Sequence, residues 1–131
     1  MTQSIDDLLR SHTLTRALAE PDLARLVAIA QVNEYEAGAF VFRESQPRRV
    51  LGIVTSGRIA IQKGRRGQPK VLGVLGAGDS YGEGSVLDEY PHSTTAVVLE
   101  PTTVIEFPRE PLLQTLRAHP GLFARLALGA A

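Results

Sequence analysis

Apolar residues recur at helical spacing near both ends of the 131-residue chain and in short strand-like runs between them. Ile5, Leu8, Leu9, Leu14 and Leu18 predict a helix over residues 5–18. Pro21 suits a helical first turn, and Leu23, Leu26, Val27 and Ala30 then line one face of a second helix. After Gln31 the period shortens. Val32–Tyr35, Phe40–Phe42, Val50–Thr55, Arg58–Gln62, Val71–Leu75, Thr94–Leu99 and Thr102–Phe107 read as strands, separated by turn residues. Ser56-Gly57 reads as the turn of a hairpin. After Pro108 the helical period returns through Leu112, Leu113 and Leu116, breaks at His119-Pro120-Gly121, and resumes through Leu122, Phe123, Leu126 and Ala127.

Helices at both ends of a run of short antiparallel strands predict a mainly β (α+β) fold, an antiparallel jelly-roll β-barrel with N-terminal and C-terminal helices. The expected layout is a single domain over 1–131: a helical lead-in over 1–31, a barrel over 32–107 and C-terminal helices over 108–128. The last residues, Leu128-Gly129-Ala130-Ala131, carry no evident cap. That leaves two readings: a final helix that packs on a partner, or one domain of a larger protein, the second favoured.

Composition narrows the function. Fourteen Lys and Arg balance fourteen Asp and Glu, and zero net charge argues against direct nucleic-acid binding. With no cysteine, disulfides and thiolate chemistry are excluded, which fits a cytoplasmic chain. No apolar run is long enough for a transmembrane helix. His12, His92 and His119 lie far apart in sequence, which speaks against a metal site, and no nucleophile motif is visible. An enzyme is not expected.

Gly-rich chemistry concentrates over residues 78–96. The run Gly78-Asp79-Ser80-Tyr81-Gly82-Glu83 continues as Gly84-Ser85-Val86-Leu87-Asp88-Glu89-Tyr90-Pro91-His92-Ser93-Thr94-Thr95-Ala96. Gly82 and Gly84 permit close backbone approach. A short helix starting near Glu83 would offer backbone N–H groups to an anion, with Gly84 and Ser85 as donors. A carboxylate beside such a site suits a sugar hydroxyl; alternatively Glu83 caps its own helix or pairs with a neighbouring arginine.

The whole stretch resembles the phosphate-binding cassette of the cyclic nucleotide-binding domain family, G-D-x-[FY]-G-E followed by a short helix and P-R-[STA]-A-[TS]. Leu51–Ile59 resembles that family's hairpin, with Gly52 in an aromatic slot, and Thr103–Phe107 resembles the strand before its C-terminal helices. Ser45 follows Glu44 where the family prefers glycine. The resemblance implies that Glu83 accepts the ribose 2′-OH and that Ser93 sits near the phosphate and purine. It also puts His92 where the family's phosphate-binding arginine belongs. Histidine offers one prong and an ordinary pKa near 6.5, against arginine's permanently charged fork. A nearby phosphate would raise that pKa; otherwise His92 is a loop residue and Ser93 a strand-start hydroxyl.

The implied function is a non-catalytic regulatory domain. It senses a cyclic nucleotide, with cAMP or cGMP the candidate ligands, and relays binding through its C-terminal helices to a fused or associated effector. The ligand-binding set is then Gly82, Glu83, Gly84, Ser85, His92 and Ser93, with no cofactor and no metal. The alternatives are a ligand-free assembly scaffold with a degenerate cassette, or a binder of a phosphate-free nucleoside-like ligand. The cluster of Arg58, Lys63, Arg65, Arg66 and Lys70 reads as a solvated loop or a docking surface for an acidic partner. Homo-oligomerisation is left open.

Overall fold

The computed structural model describes residues 4–12, 15–16, 18–64, 67–84, 90–122 and 124–125. Helix α1 runs Ile5–Ser11 and α2 runs Glu20–Ile29. Six strands follow: β1 Gln31–Tyr35, β2 Phe40–Phe42, β3 Val50–Lys63, β4 Lys70–Leu75, β5 Ser80–Tyr81 and β6 Thr95–Pro108. Helix α3 runs Arg109–Ala118. Residues 120–122 and 124–125 are helical as well.

The helix expected over 5–18 stops at Ser11. Ser4 caps its start by accepting from the Asp7 N–H at 3.1 Å, and Ser11 Oγ turns back onto the Leu8 carbonyl. That side-chain bond competes with helix propagation, and His12 leaves as an extended cap. His12 is therefore a cap residue, not a helical one. Leu14, Arg65, Arg66, Ser85, Phe123, Leu126 and Ala127 lie outside the described residues.

The Ser56-Gly57 hairpin is corrected. Val50–Lys63 is one strand, and the two runs read at Thr94–Leu99 and Thr102–Phe107 are also one strand, β6. The two long strands pair antiparallel from Val50↔Pro108 to Gln62↔Thr95, with register breaks between Val54 and Ile59. Gly57 absorbs one break at φ +101°, and a Cβ there would meet Thr102 Oγ1 at 2.2 Å. Thr102 Oγ1 accepts from the Arg58 N–H and donates to the Glu100 carbonyl, so it stitches the bulge. A turn-like dipeptide is thus used to bend a strand instead of reversing it.

This bend rolls the sheet. β6 pairs β2 with its first half and β1 with its second, while β3 pairs β5 near its start and β4 near its end. Inside the roll lie Val54, Ile59, Tyr81, Ala96, Val98 and Val104. A second cluster, including Leu9, Leu26, Ile105, Phe107, Leu112 and Leu122, joins the other part of the sheet to the helices. No described helix is long and apolar enough to cross a membrane.

Asp22 ties the helices together. It is 4% exposed and accepts from Arg25 Nη1 at 2.6 Å and from Arg125 Nη2. Burial would push its pKa up, but the bonds and charges of the two arginines outweigh that and hold it low. Arg125 is thereby fastened to α2.

Ser45 sits in the left-handed region at φ +73°, which explains why glycine suits this turn. Its N–H donates to the His92 carbonyl at 2.8 Å, and the His92 N–H donates to the Gln46 carbonyl at 2.9 Å. Ser45→Gly is expected to raise stability by about 1 kcal/mol through relief of that strain. A rise of a few degrees in Tm is the expected reading; a lower Tm would refute the strain assignment.

Candidate ligand-binding cassette

The cassette begins on a turn docked against β3. The Val54 N–H donates to the Asp79 carbonyl at 2.9 Å, and the Gly78 N–H donates to the Val54 carbonyl at 2.8 Å. Asp79 Oδ2 accepts from the Gly76 N–H at 2.8 Å and closes the turn. From the helical side, His12 Nε2 meets the Gly78 carbonyl at 2.6 Å. β5 then carries Tyr81 into the roll, and Gly82, at φ +75°, turns the chain back out toward Glu83.

Tyr81 anchors this entry. It is 3% exposed, and its hydroxyl donates to Glu106 Oε2 at 2.7 Å. Glu106, also 3% exposed, further accepts from Asn33 Nδ2 at 2.6 Å and from the Tyr35 hydroxyl at 3.1 Å. Burial first, then the carboxylate's charge and hydrogen bond, push both tyrosine pKa values above the ordinary range. Both phenols therefore remain donors across physiological pH. Gly52 makes room for the arrangement, because a Cβ there would lie 2.1 Å from Tyr81 Cζ.

Glu83 is half-buried, and its Oε1 accepts from Ser80 Oγ at 2.6 Å. That bond fixes the carboxylate and leaves acceptor capacity, since a carboxylate has about four lone-pair sites. Among the described residues its side-chain hydrogen bond is to Ser80 rather than to an arginine. Gly82 is buried beside it, and Gly84 follows. Ser93 is exposed just before β6.

His92 is buried, at 6% exposure. Its ring stacks on Phe42 with centroids 3.9 Å apart and planes 9° from parallel. Burial and then the charge of Arg48 lower its pKa, so the ring is mainly neutral at pH 7. The unfolded chain binds a proton below about pH 6.5 that the native state resists, so this site stabilises the fold above that pH and loses the contribution as pH falls. Stability is expected to drop between pH 7 and pH 5, and less steeply in His92→Phe, which keeps the stack. Identical slopes in the two proteins would remove His92 as the cause.

Sequence reasoning missed Arg48. The fold delivers its guanidinium from the loop before β3, with Nε donating to the Tyr90 carbonyl at 2.9 Å. A Cβ on Gly84 would lie 2.4 Å from Arg48 Cζ, so the guanidinium packs directly on that glycine. Nothing in the sequence around Pro47-Arg48-Arg49 marks one arginine as a cassette residue. A separate groove lined by Phe40, Gln62, Lys63, Gly64, Gly67, Pro69 and Thr95 shares no residue with the cassette candidates. Among the described residues no cluster of His, Cys, Asp and Glu could hold a metal ion.

Comparison with known proteins agrees with this architecture. Residues 32–119 match the family model described as "Cyclic nucleotide-binding domain". The Cyclic AMP receptor protein of Thermus thermophilus is 29% identical over 120 residues, covering 91% of this chain and 56% of that relative. The chain thus spans about half the length of such curated relatives. DNR from Pseudomonas aeruginosa superposes with a TM-score of 0.82 at 25% identity, over 100% of this chain and 59% of that one. The regulatory domain of Toxoplasma gondii PKA, solved with cAMP, superposes with a TM-score of 0.74 at 29% identity, over 88% and 42% of the two chains. With a jelly-roll sheet, flanking helices and a family match across most of its length, this chain belongs to the cyclic nucleotide-binding domain family.

Proposed function

We propose that the chain is a non-catalytic sensor that binds a cyclic nucleotide in the 78–96 cassette and relays occupancy through its C-terminal helices. The observation that carries this reading is Glu83. Its carboxylate is held by Ser80 beside the buried Gly82 turn and keeps acceptor capacity, which supports a role as acceptor for the ribose 2′-hydroxyl. The names of relatives such as the Cyclic AMP receptor protein support cAMP as the first candidate, with cGMP the second.

The relay has a physical path. Tyr81, at the cassette entry, is bonded to Glu106 on β6. Phe107, the next residue, packs in the cluster with Leu112, Leu116 and Leu122, and Asp22 holds Arg125. Ligand shifts these helices only if it binds two helix arrangements with different affinity. An effector, fused or associated, would read that shift.

A second reading is favoured by one observation, the buried and neutral His92. A ring stacked on Phe42 offers no charged grip to a phosphate, which suits a nucleoside-like ligand lacking one.

Calorimetric titration with cAMP, cGMP and adenosine at pH 6 and pH 8 separates the two. The first reading predicts saturable binding of a cyclic nucleotide, weaker binding of adenosine, and no gain at pH 6, because His92 resists protonation. Equal or stronger binding of adenosine would support the second reading, and silence with every ligand would overturn both in favour of a scaffold.

A further inference from the structure

We propose that the outer face of β2, β6, β3 and β4 is a docking surface for an acidic amphipathic helix of a partner protein. The pairing registers line up one apolar row across these four strands. Phe40 lies opposite Val97, Val97 opposite Ala60, and Ala60 opposite Val74. Their neighbours Ile59, Ala96 and Val98 pack inside the roll, so strand alternation turns this row outward. Phe40 is 45% and Val74 44% exposed at its two ends. A register slip between Ile61 and Gln62 brings Val71 to the same face, and Leu99 extends it along β6; both are exposed. Large apolar side chains gathered in this way on a small domain mark an interaction surface.

Charge selects the occupant. The Arg43 guanidinium stacks over the exposed Phe40 ring, 4.1 Å from its centre. Lys63 and Lys70 lie opposite each other where the β3–β4 pair ends, and neither forms an ion pair among the described residues. The carboxylate at this end is Glu44, whose Oε1 accepts from the Gly64 N–H at 3.4 Å. The apolar row is therefore rimmed by excess positive charge in a chain whose net charge is zero. A second copy would bring the same excess, whereas an acidic segment complements it. Beside Phe40 a groove of about 220 Å³, lined also by Gln62, Lys63, Pro69 and Thr95, offers room for an anchoring side chain. Shape selects the form. β4 is an edge strand, but Lys70 and the slip near Leu72 discourage addition of a further strand. The row from Phe40 to Val74 spans three strand spacings, about 14 Å. A helix rises about 1.5 Å per residue, so anchors at i, i+4 and i+7 span about 10 Å and fit along it.

The test is selection of helical peptides from a displayed library on the whole chain, run in parallel on a variant carrying Phe40→Ser and Val74→Ser. Both residues are exposed, so this variant should keep the native Tm to within a few degrees. Peptides enriched on the native chain should carry apolar residues at i, i+4 and i+7 with Asp and Glu beside them. Their affinity should fall about tenfold or more in the double variant, the effect of losing a central aromatic anchor. In a second variant, Lys63→Gln with Lys70→Gln, association should slow and its salt dependence flatten. None of these four positions belongs to the cassette candidates, so the docking surface and the cyclic-nucleotide reading fail separately.

Enrichment of basic or uncharged peptides, equal binding by the Phe40→Ser, Val74→Ser variant, or no enrichment at all would overturn the proposal. A change of oligomeric state in that variant, measured by sedimentation, would give the face to a second copy and overturn it as well. Binding of the native chain to phosphatidylcholine–phosphatidylserine vesicles that is lost in the same variant would give the face to a lipid surface, with the same consequence.

Discussion

Glu106→Ala is expected to destabilise the fold by about 3 kcal/mol, a large share of the roughly 5–15 kcal/mol that holds a typical domain together. The carboxylate accepts from three side chains on two other strands, Asn33, Tyr35 and Tyr81. Removing it does not orphan them equally. Asn33 and Tyr35 are partly exposed and can turn to water, whereas Tyr81 is 3% exposed and cannot. Most of the cost is therefore the unmet Tyr81 hydroxyl plus the cavity left behind. Relief from burying a carboxylate offsets part of it. Glu106→Gln, which keeps a carbonyl acceptor, should cost less than half as much. Urea denaturation at pH 7 measures both. An alanine variant as stable as the native chain would mean that this network contributes nothing.

Gly52→Ala carries the second large effect, also about 3 kcal/mol, at the upper end for overpacking. The added methyl would lie 2.1 Å from Tyr81 Cζ and 2.4 Å from Cε2. The strand cannot step aside, because Gly52 is paired with Tyr81 on β5 and with Glu106 on β6. Nor can the ring swing away without abandoning Glu106. The cause is thus one side chain, and a double-mutant cycle isolates it. In a Tyr81→Ala background the methyl has room, and the cost of Gly52→Ala should fall close to zero. An unchanged cost in that background would place the clash elsewhere. The absence of an aromatic residue at 52 follows from the same geometry, since the space over that position is already filled by Tyr81.

The fold class was legible in the sequence because hydrophobic periodicity reports burial directly. Leu23, Leu26, Leu112 and Leu116 show the helical faces, and the short runs Gln31–Tyr35, Phe40–Phe42 and Lys70–Leu75 sit within a residue of where alternation and turn residues put them. Ser56-Gly57 misled because a turn signal states only that the backbone departs from extended geometry. Whether it reverses or bulges depends on the partner strand, and Thr102 on β6 decides it here. The cassette was legible as a motif. Its charge distribution was not, since Arg48 and Gly84 are 36 positions apart and meet only once β3 and β5 have paired. In the same way, nothing local to His92 announced that its ring would turn inward onto Phe42.

The most direct test of the account compares binding of cAMP with its 2′-deoxy analogue, in the native chain and in Glu83→Ala. If Glu83 accepts the ribose hydroxyl, the native chain should prefer cAMP by about tenfold or more, the worth of one hydrogen bond to a charged group. Glu83→Ala should bind both ligands alike, near the native affinity for the deoxy form. Equal binding of the two ligands by the native chain, or a preference that survives in Glu83→Ala, would contradict the account.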